Sequence, residues 1–398
     1  MLDKPPADDF PTIDRVSTDA TGVRVRWADG RRSHFHSVWL RDNCGCPSCR
    51  VVQSGERLLY TADIPEDLTV SDASVSAAGN LGVTWNDGHL SRFDRRWLAR
   101  FDYSCGSPAA GGDEHTLWES GVRLPEFEHA ELMASSERLL QYLDALHAYG
   151  AAIVRKTPPV AGEVVRFAEK VGTVRTVAFG TVHDVMNDPH GYNVAHTAHE
   201  LKPHSDLASY SWPPSLQLLH YLSNDVSGGE TVLVDGWNVL SCFKSEYPED
   251  YELLSRVSVP FKIYSATDDT YAVEPIIQLH PDGRIRIFRY SNQTLQPLQI
   301  DSNLVESFYR AYRRLGRLVS DDRFRVTIKA RSGDMLTIHN HRVLHGRNAY
   351  DPASGRRHLQ DLYMEWDDVM AKRRVLRGHL PPPAWPTEDV EAQSSVRY

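Results

Sequence analysis

Excess basic charge, long apolar runs and cysteine are what this chain of 398 residues has little of. Its 44 Lys and Arg stand against 53 Asp and Glu, a formal net charge of -9, which argues against a general electrostatic grip on nucleic acid or on an anionic membrane. Nowhere do as many as about 18 apolar residues follow one another, and the start, "MLDKPPADDF", has neither the basic nor the apolar region of a secretory signal. The expectation is a soluble, cytoplasmic protein with a small-molecule partner. A Gly-rich phosphate loop and a nucleophile elbow are also missing, so nothing points to nucleotide or acyl-transfer chemistry. The 5 cysteines are an odd count, and three of them crowd into "CGCPSC", which suits a metal in a reducing compartment better than a disulfide framework. Cys105 and Cys242 read as ordinary buried thiols.

With 41% hydrophobic residues the chain can bury one large core or two smaller ones, and its length favours two domains. Over the first hundred residues apolar and polar side chains alternate between Asp-Gly turns: "VRVRWADGRRSHF" and "GVTWNDGHLSRF" each read strand, tight turn, strand. A shift of 58 positions lays Trp27, Asp29, Gly30, Ser33, Phe35 and Trp39 onto Trp85, Asp87, Gly88, Ser91, Phe93 and Trp97, so two copies of one β unit packed face to face are expected over 1–103. Residues 104–126, rich in Ser, Gly, Pro and Glu, read as a linker. From 127 to 398 a helix ending at Gly150 and a second over "GEVVRFAEKVG" precede separated strand candidates, "LQLLHYL", "ETVLVDG", "RIRIFRY", "MLTIHN" and "HLQDLYMEW", with one amphipathic helix around "LVESFYRAYRRLGRLV". Many strands without a regular β-α alternation predict a mainly β jelly roll flanked by helices. The tail after 380 is expected to be loose or laid on a neighbour.

In "KPHSDLASY", His204 and Asp206 stand at i and i+2, and in a strand they would converge on one side while Ser205 faces away. They could form a buried hydrogen-bonded pair. With a third ligand from "HNHRVLH", which offers His339, His341 and His345, they could instead form the two-histidine, one-carboxylate triad that suits non-haem Fe(II). Arg357 opens a strand of alternating character further on, and its guanidinium can grip a carboxylate with two parallel hydrogen bonds.

The blocks "WLRDNCGCPSC", "NVAHT", "HSD", "PPSLQLLHYL", "GGETVLVDGWNV", "HRVLHGR" and "RRHLQDLYMEWDDV" together make the chain resemble the γ-butyrobetaine dioxygenase family, a branch of the Fe(II)/2-oxoglutarate oxygenases related to taurine dioxygenase, from about residue 34 to about 375. The resemblance implies a double-stranded β-helix oxygenase domain behind a small all-β, zinc-binding N-terminal domain. It implies iron on His204, Asp206 and His345, with His339 and His341 outside the triad, and 2-oxoglutarate anchored by Arg357 with help from Thr231. It supplies His89 as the fourth ligand that Cys44, Cys46 and Cys49 lack for a tetrahedral structural zinc. The expected chemistry consumes O2 and 2-oxoglutarate and releases succinate and CO2, and a homodimer is implied.

For the substrate, the same resemblance points to a small zwitterion with a trimethylammonium end. Tyr363 is kept from the family's aromatic cage, whereas His183 and His196 stand where aromatics are expected, Phe179 replaces a Tyr, and Leu207 follows the HxD. Asn193 matches the amide for the substrate's acid end. Ser291 stands where a second Asn is expected, Asn292 comes next, and Arg289, placed on the side of Ser291 by a regular strand, adds a charge that would suit a phosphonate. Three readings stay open on sequence: hydroxylation of a γ-butyrobetaine-like substrate or its phosphonate analogue, desaturation or rearrangement at the same iron site, and a non-catalytic zinc-containing scaffold.

Overall fold

The computed structural model describes residues 10–51, 54–104, 115–186, 196–265 and 267–378. Their contacts gather into two units, residues 10–104 and residues 115–378. Cys105, Asn193 and the tail after 380 lie outside the described residues. Among the described residues, no helix is long and apolar enough to cross a membrane.

In the first unit, the repeat in sequence is a repeat in structure. Ile13–Asp19, Gly22–Trp27 and Arg32–His36 form one three-stranded antiparallel sheet, Val70–Val75, Leu81–Trp85 and Leu90–Phe93 form another, and the helices Ser37–Asp42 and Arg95–Arg100 follow them. The indole of Trp27 donates to Ser33 Oγ at 2.6 Å and that of Trp85 to Ser91 Oγ at 2.8 Å, the same bond made twice. Alternation sends Val23, Val25, Trp27 and Phe35 from one sheet and Leu81, Val83, Trp85 and Phe93 from the other into a single core.

In the second unit, consecutive strands alternate between two sheets. Leu201–His204, Val343–Arg347, Thr231–Asp235 and Arg325–Ile328 make the smaller sheet, in that order. The larger runs His183–Met186, Arg357–Met364, Leu216–Asn224, Met335–His339, Ala151–Arg155 and Glu126–Glu128, with Val174–Arg175 added to the Arg357 strand. All pairings are antiparallel except that of Glu126–Glu128 with Ala151–Arg155. The chain thus winds from sheet to sheet, Leu201 strand to Leu216 strand to Thr231 strand, then Met335 strand to Val343 strand to Arg357 strand. This is a double-stranded β-helix.

Period-two alternation sorts the side chains of each strand. Leu216, Leu218, Leu362 and Met364 point outward, under Leu139 and Leu143 of helix Ser136–Tyr149, Phe167 of Glu163–Val171 and Val369 of Trp366–Arg377. Val232, Val234 and Leu344 point outward from the smaller sheet, under Phe243 of Gly236–Glu246 and Phe308 and Leu315 of Val305–Val319. Each such side chain, fully buried, adds about 1.5–3 kcal/mol. The helix expected up to Gly150 is two, His129–Ala134 and Ser136–Tyr149, because Ser135 is extended and caps the second by accepting from Arg138 N at 3.2 Å. Gly150 ends it at φ 71, where a side chain would be strained.

The expected linker is shorter than its composition suggested. Trp118 and Leu124 are buried in the second unit's core, and the Trp118 indole donates to Tyr149 O at 2.8 Å. Two large apolar anchors outweigh the polar residues around them.

At one end of the barrel a fully buried ion pair ties the sheets together. Arg342, between the Met335 and Val343 strands, donates to Asp235 at 3.0 and 2.8 Å, to Ala148 O at 2.8 Å and to Thr116 O at 2.6 Å. Asp235 also accepts from the backbone N–H groups of Trp118 and Trp237 at 3.2 Å each. Arg342→Met should therefore leave an uncompensated buried carboxylate and lower stability by about 3–5 kcal/mol, read as a drop in the urea midpoint. An unchanged midpoint would mean that Asp235 is held by its other donors alone.

Candidate active site

Between the two sheets lies a recess of about 650 Å³, partly open to solvent. Its wall is built by alternate residues of five strands: His183 and Val185; Gln217, Leu219 and Tyr221; Thr231; His345 and Arg347; and Arg357, Leu359, Asp361 and Tyr363. Leu201, His204, Asp206, Gly346 and Phe179 complete it. Gly346 is required there, since a Cβ would stand 2.5 Å from Leu201 O and push the neighbouring strand away.

His204, Asp206 and His345 come together at one side of this recess. His204 and His345 are direct cross-strand partners with ring centroids 4.6 Å apart. The convergence of Asp206 does not come from strand alternation, as the sequence led us to expect. The strand ends at His204, and Asp206 is turned inward by a left-handed Leu207, at φ 53, a costly conformation for a bulky residue. Asn340 holds that turn, accepting from Asp206 N at 2.8 Å and donating to Asp206 O at 3.1 Å and Pro214 O at 2.8 Å. Ser205 faces away, into bonds with the Tyr290 backbone.

The ligand atoms of this cluster are placed to receive a cation. His204 Nδ1 lies 2.9 Å from Lys202 O, and a carbonyl can only accept, so Nδ1 carries a hydrogen; Nε2 lies 3.0 Å from Asp206 Oδ1, and although burial disfavours the imidazolium, that carboxylate pushes His204 above its ordinary value. Asp206 Oδ2 accepts from Gln217 Nε2 at 2.6 Å and from Tyr363 OH at 2.8 Å, with His345 Nε2 3.6 Å off. Burial works against the charge on Asp206, yet His345, His204 and the Tyr363 hydroxyl hold its carboxyl well below the usual carboxylate range. Burial pushes His345 down to about 4, which keeps its imidazole neutral. Two imidazole nitrogens and a carboxylate oxygen converge within 4.8 Å of one another, so the donor set fits a divalent metal such as Fe(II).

At the other side the recess is cationic. Arg357 Nε is buried with no hydrogen-bond partner, and the guanidinium lies 5.5 Å from the Tyr350 ring and 6.0 Å from the Tyr221 ring. Arg347 donates to the carbonyls of Thr197 at 2.7 Å and His199 at 2.6 Å. Burial and the neighbouring Arg357 push it down to about 10. Thr231 Oγ1 is bonded to Tyr221 OH beside them. A guanidinium whose buried Nε lacks an acceptor fits the far carboxylate of 2-oxoglutarate.

In the first unit, Cys44, Cys46 and Cys49 follow helix Ser37–Asp42, and the turn after Trp85 carries His89 over them. His89 Nε2 is 3.3, 3.7 and 3.7 Å from the three sulfurs. Tetrahedral zinc with Zn–S of about 2.3 Å and Zn–N of about 2.0–2.1 Å sets ligand separations of about 3.5–3.8 Å, so the cluster has the size of a closed structural site. Arg41 donates to Cys49 Sγ at 3.3 Å, which favours the thiolate.

Several expected substrate residues stand elsewhere. Phe179, His183 and Tyr363 line the recess, and His196 packs edge-on against His183 at 5.3 Å without lining it. Arg289 does not reach the recess: the regular strand ends at Phe288, and the guanidinium is buried against the carbonyls of Ala208, Tyr210 and Ser211. Ser291 is buried outside the recess, and Asn292 lines a separate surface hollow with Glu200 and Lys202. His341 donates to Pro213 O at 2.8 Å, and His339 stacks on Trp366 at 4.0 Å. Cys242 is only partly buried, against the core of the second unit. Gln217, Asn340, Arg347 and Asp361 were not foreseen. Polar residues at inward positions of otherwise apolar strands were the available signal.

The family described as "Taurine catabolism dioxygenase TauD, TfdA family" matches residues 116–363, and "Gamma-butyrobetaine hydroxylase-like, N-terminal" matches residues 15–99. The gamma-butyrobetaine dioxygenase of Pseudomonas sp. (strain AK-1) is 35% identical over 374 residues, covering 92% of this chain and 98% of that one. That of Homo sapiens is 28% identical over 371 residues, covering 90% and 95%. The mitochondrial trimethyllysine dioxygenase of Mus musculus is 28% identical over 361 residues, covering 88% and 84%. The chain belongs to the TauD, TfdA dioxygenase family, in the branch marked by the gamma-butyrobetaine hydroxylase-like N-terminal domain. It is a 2-oxoglutarate-dependent non-haem iron dioxygenase whose cysteine cluster fits a structural zinc.

A structural zinc contributes folding free energy directly, so exhaustive chelation should lower the thermal midpoint of the first unit. Metal analysis of protein purified without chelator should return zinc. A full thermal midpoint with no zinc bound would remove this reading of the cluster.

Proposed function

We propose that this enzyme hydroxylates a small zwitterion whose cationic end is a quaternary ammonium, γ-butyrobetaine or a close analogue such as its phosphonate. In this reading His204, Asp206 and His345 hold iron, Arg357 with Thr231 holds the far carboxylate of 2-oxoglutarate, and Cys44, Cys46, Cys49 and His89 hold zinc. The observation that carries it is the pairing of two incomplete groups in one recess: a triad whose ligand atoms converge, and a guanidinium whose buried Nε has no acceptor. Bound iron, with 2-oxoglutarate and O2, supplies an oxidant that turns a substrate C–H into C–OH while 2-oxoglutarate leaves as succinate and CO2.

The chain's own residues orient and shield this chemistry. The Lys202 carbonyl fixes the tautomer of His204, and Gln217 and Tyr363 saturate one oxygen of Asp206, leaving the other toward His204. Val185, Leu219 and Leu359 make the wall apolar and exclude water. Phe179, His183 and Tyr363 offer ring faces to a cation. The relatives' substrates, γ-butyrobetaine and trimethyllysine by their names, both carry a trimethylammonium group.

A panel of γ-butyrobetaine, trimethyllysine and the phosphonate and sulfonate analogues of γ-butyrobetaine tests the class. Succinate release should be matched by a product heavier by one oxygen for at least one trimethylammonium compound. A product lighter by two hydrogens would replace hydroxylation by desaturation, and turnover of none would overturn the substrate class. Arg357→Lys keeps the charge but loses the planar fork, so the KM for 2-oxoglutarate should rise by about tenfold while Fe(II) affinity stays. An unchanged KM would free Arg357 from this role.

A further inference from the structure

Asp361 lines the recess and lies outside the cluster of His204, Asp206 and His345. It lies on the Arg357 strand, two residues before Tyr363, with its Cα paired to those of His183 and Leu219 on the strands to either side. Its residue is 4% exposed. Oδ1 is buried without a hydrogen-bond partner, and no cationic side chain among the described residues forms an ion pair with the carboxyl. Burial disfavours the charge on this carboxyl, and no cation beside it offsets that cost.

A lone buried carboxyl is costly, and strands of this unit have apolar residues at comparable inward positions. What surrounds Asp361 suggests the missing partner. His183, directly across the ladder, stacks on Phe179 with ring centroids 5.1 Å apart, and Tyr363 is the next inward residue of the same strand. A hard metal ion would need several more oxygen ligands than this one carboxyl offers. An ammonium bearing three N–H groups would find two open buried acceptors here, Asp361 Oδ1 and Gln217 Oε1, fewer than its donors, among walls of Phe179, Val185, Leu219 and Leu359. An alkylated ammonium needs neither: it takes ring faces, apolar contact and one negative charge.

We propose that Asp361 is the counter-charge for the substrate's cationic nitrogen, and the residue that makes this recess prefer a cation over an uncharged group of the same shape. The inference rests on the substrate class proposed above and specifies how that class is read. Asp361→Asn keeps the shape and removes the charge, and its melting temperature should equal or exceed that of the wild type, since a buried unpaired carboxyl is lost.

Two measurements test it on enzyme loaded with Fe(II) and 2-oxoglutarate under anaerobic conditions. Tetramethylammonium ion, followed by calorimetry, should bind the wild type at least about tenfold more tightly than Asp361→Asn. γ-Butyrobetaine should bind the wild type about tenfold or more tightly than 5,5-dimethylhexanoate, in which carbon replaces nitrogen, and Asp361→Asn should abolish that preference while leaving 2-oxoglutarate affinity as it was. Equal tetramethylammonium affinity in the two proteins, or an undiminished preference for the cation in the variant, overturns the proposal. Tetramethylammonium binding that depends on Asp361, without turnover of any trimethylammonium substrate, would instead overturn the substrate class and leave the cation site standing.

Discussion

Asp206 is where the two sheets of the second unit meet chemically. It stands two residues beyond the end of the smaller sheet's Leu201 strand, yet its carboxylate is held by Gln217 and Tyr363 of the larger sheet, and its peptide by Asn340 in the connection between the sheets. Each sheet brings part of the ligand environment, so the cluster exists only while the sheets keep their spacing. The left-handed Leu207 follows from the same demand, because the chain must leave the strand abruptly for the carboxylate to face back toward His204 and His345. Arg289 then finds its role: by gathering the carbonyls of Ala208, Tyr210 and Ser211 it fixes the segment after the strained turn. A planar guanidinium can take three carbonyls at once, which a lysine could not do in the same plane.

The inward faces of these strands are poor in the residues that stabilise a β-sandwich. Arg347, Arg357, Asp361, Gln217 and His345 occupy positions where alternation would otherwise place valine or isoleucine. The fold compensates on its outer faces, where two separate clusters of leucine, valine, methionine and phenylalanine sit under helices, and at the Arg342–Asp235 end of the barrel, where the buried guanidinium and carboxylate satisfy each other. Stability and chemistry are thus placed on opposite faces of the same strands. A sheet covered by helices on its outside can carry an open, polar recess on its inside.

Legibility in the sequence followed this division. The strands, the helix over 305–319 and the doubled hairpins were readable from period and from Asp-Gly turns, because those features depend on near neighbours. His204, Asp206, His345 and Arg357 became readable as a set only through resemblance, since spacing alone cannot say which of His339, His341 and His345 returns to the HxD. The structure shows why: His339 and His341 lie on either side of Asn340, one stacked on Trp366 and one bonded to Pro213, while His345 is two residues into the next strand. Arg289 was misplaced for a related reason. Counting from Arg289 to Ser291 assumes a continuing strand, and pairing stops at Phe288. Asp361 and Arg347 were visible as charges in apolar strands, but their meaning depends on which strand stands opposite.

In the first unit the two sheets share a core, but the cysteine loop has almost none of its own. The sheets are equivalent down to the Trp-to-Ser bonds, but the copies differ after the short helix: the first continues into the cysteine loop, and the second supplies His89 where the first has Arg31. Around the cysteines the chain has little else to bury. Leu59 is the one hydrophobic side chain packed against the three sulfurs among the described residues, and the local backbone bonds are short turns such as Cys49 N to Cys46 O at 2.9 Å and Leu58 N to Cys49 O at 2.8 Å. Such a loop cannot offset its ordering entropy by apolar burial. Four ligands converging on one ion would, and because one of the four comes from the other copy, such an ion would also tie the second hairpin's turn to the end of the first repeat.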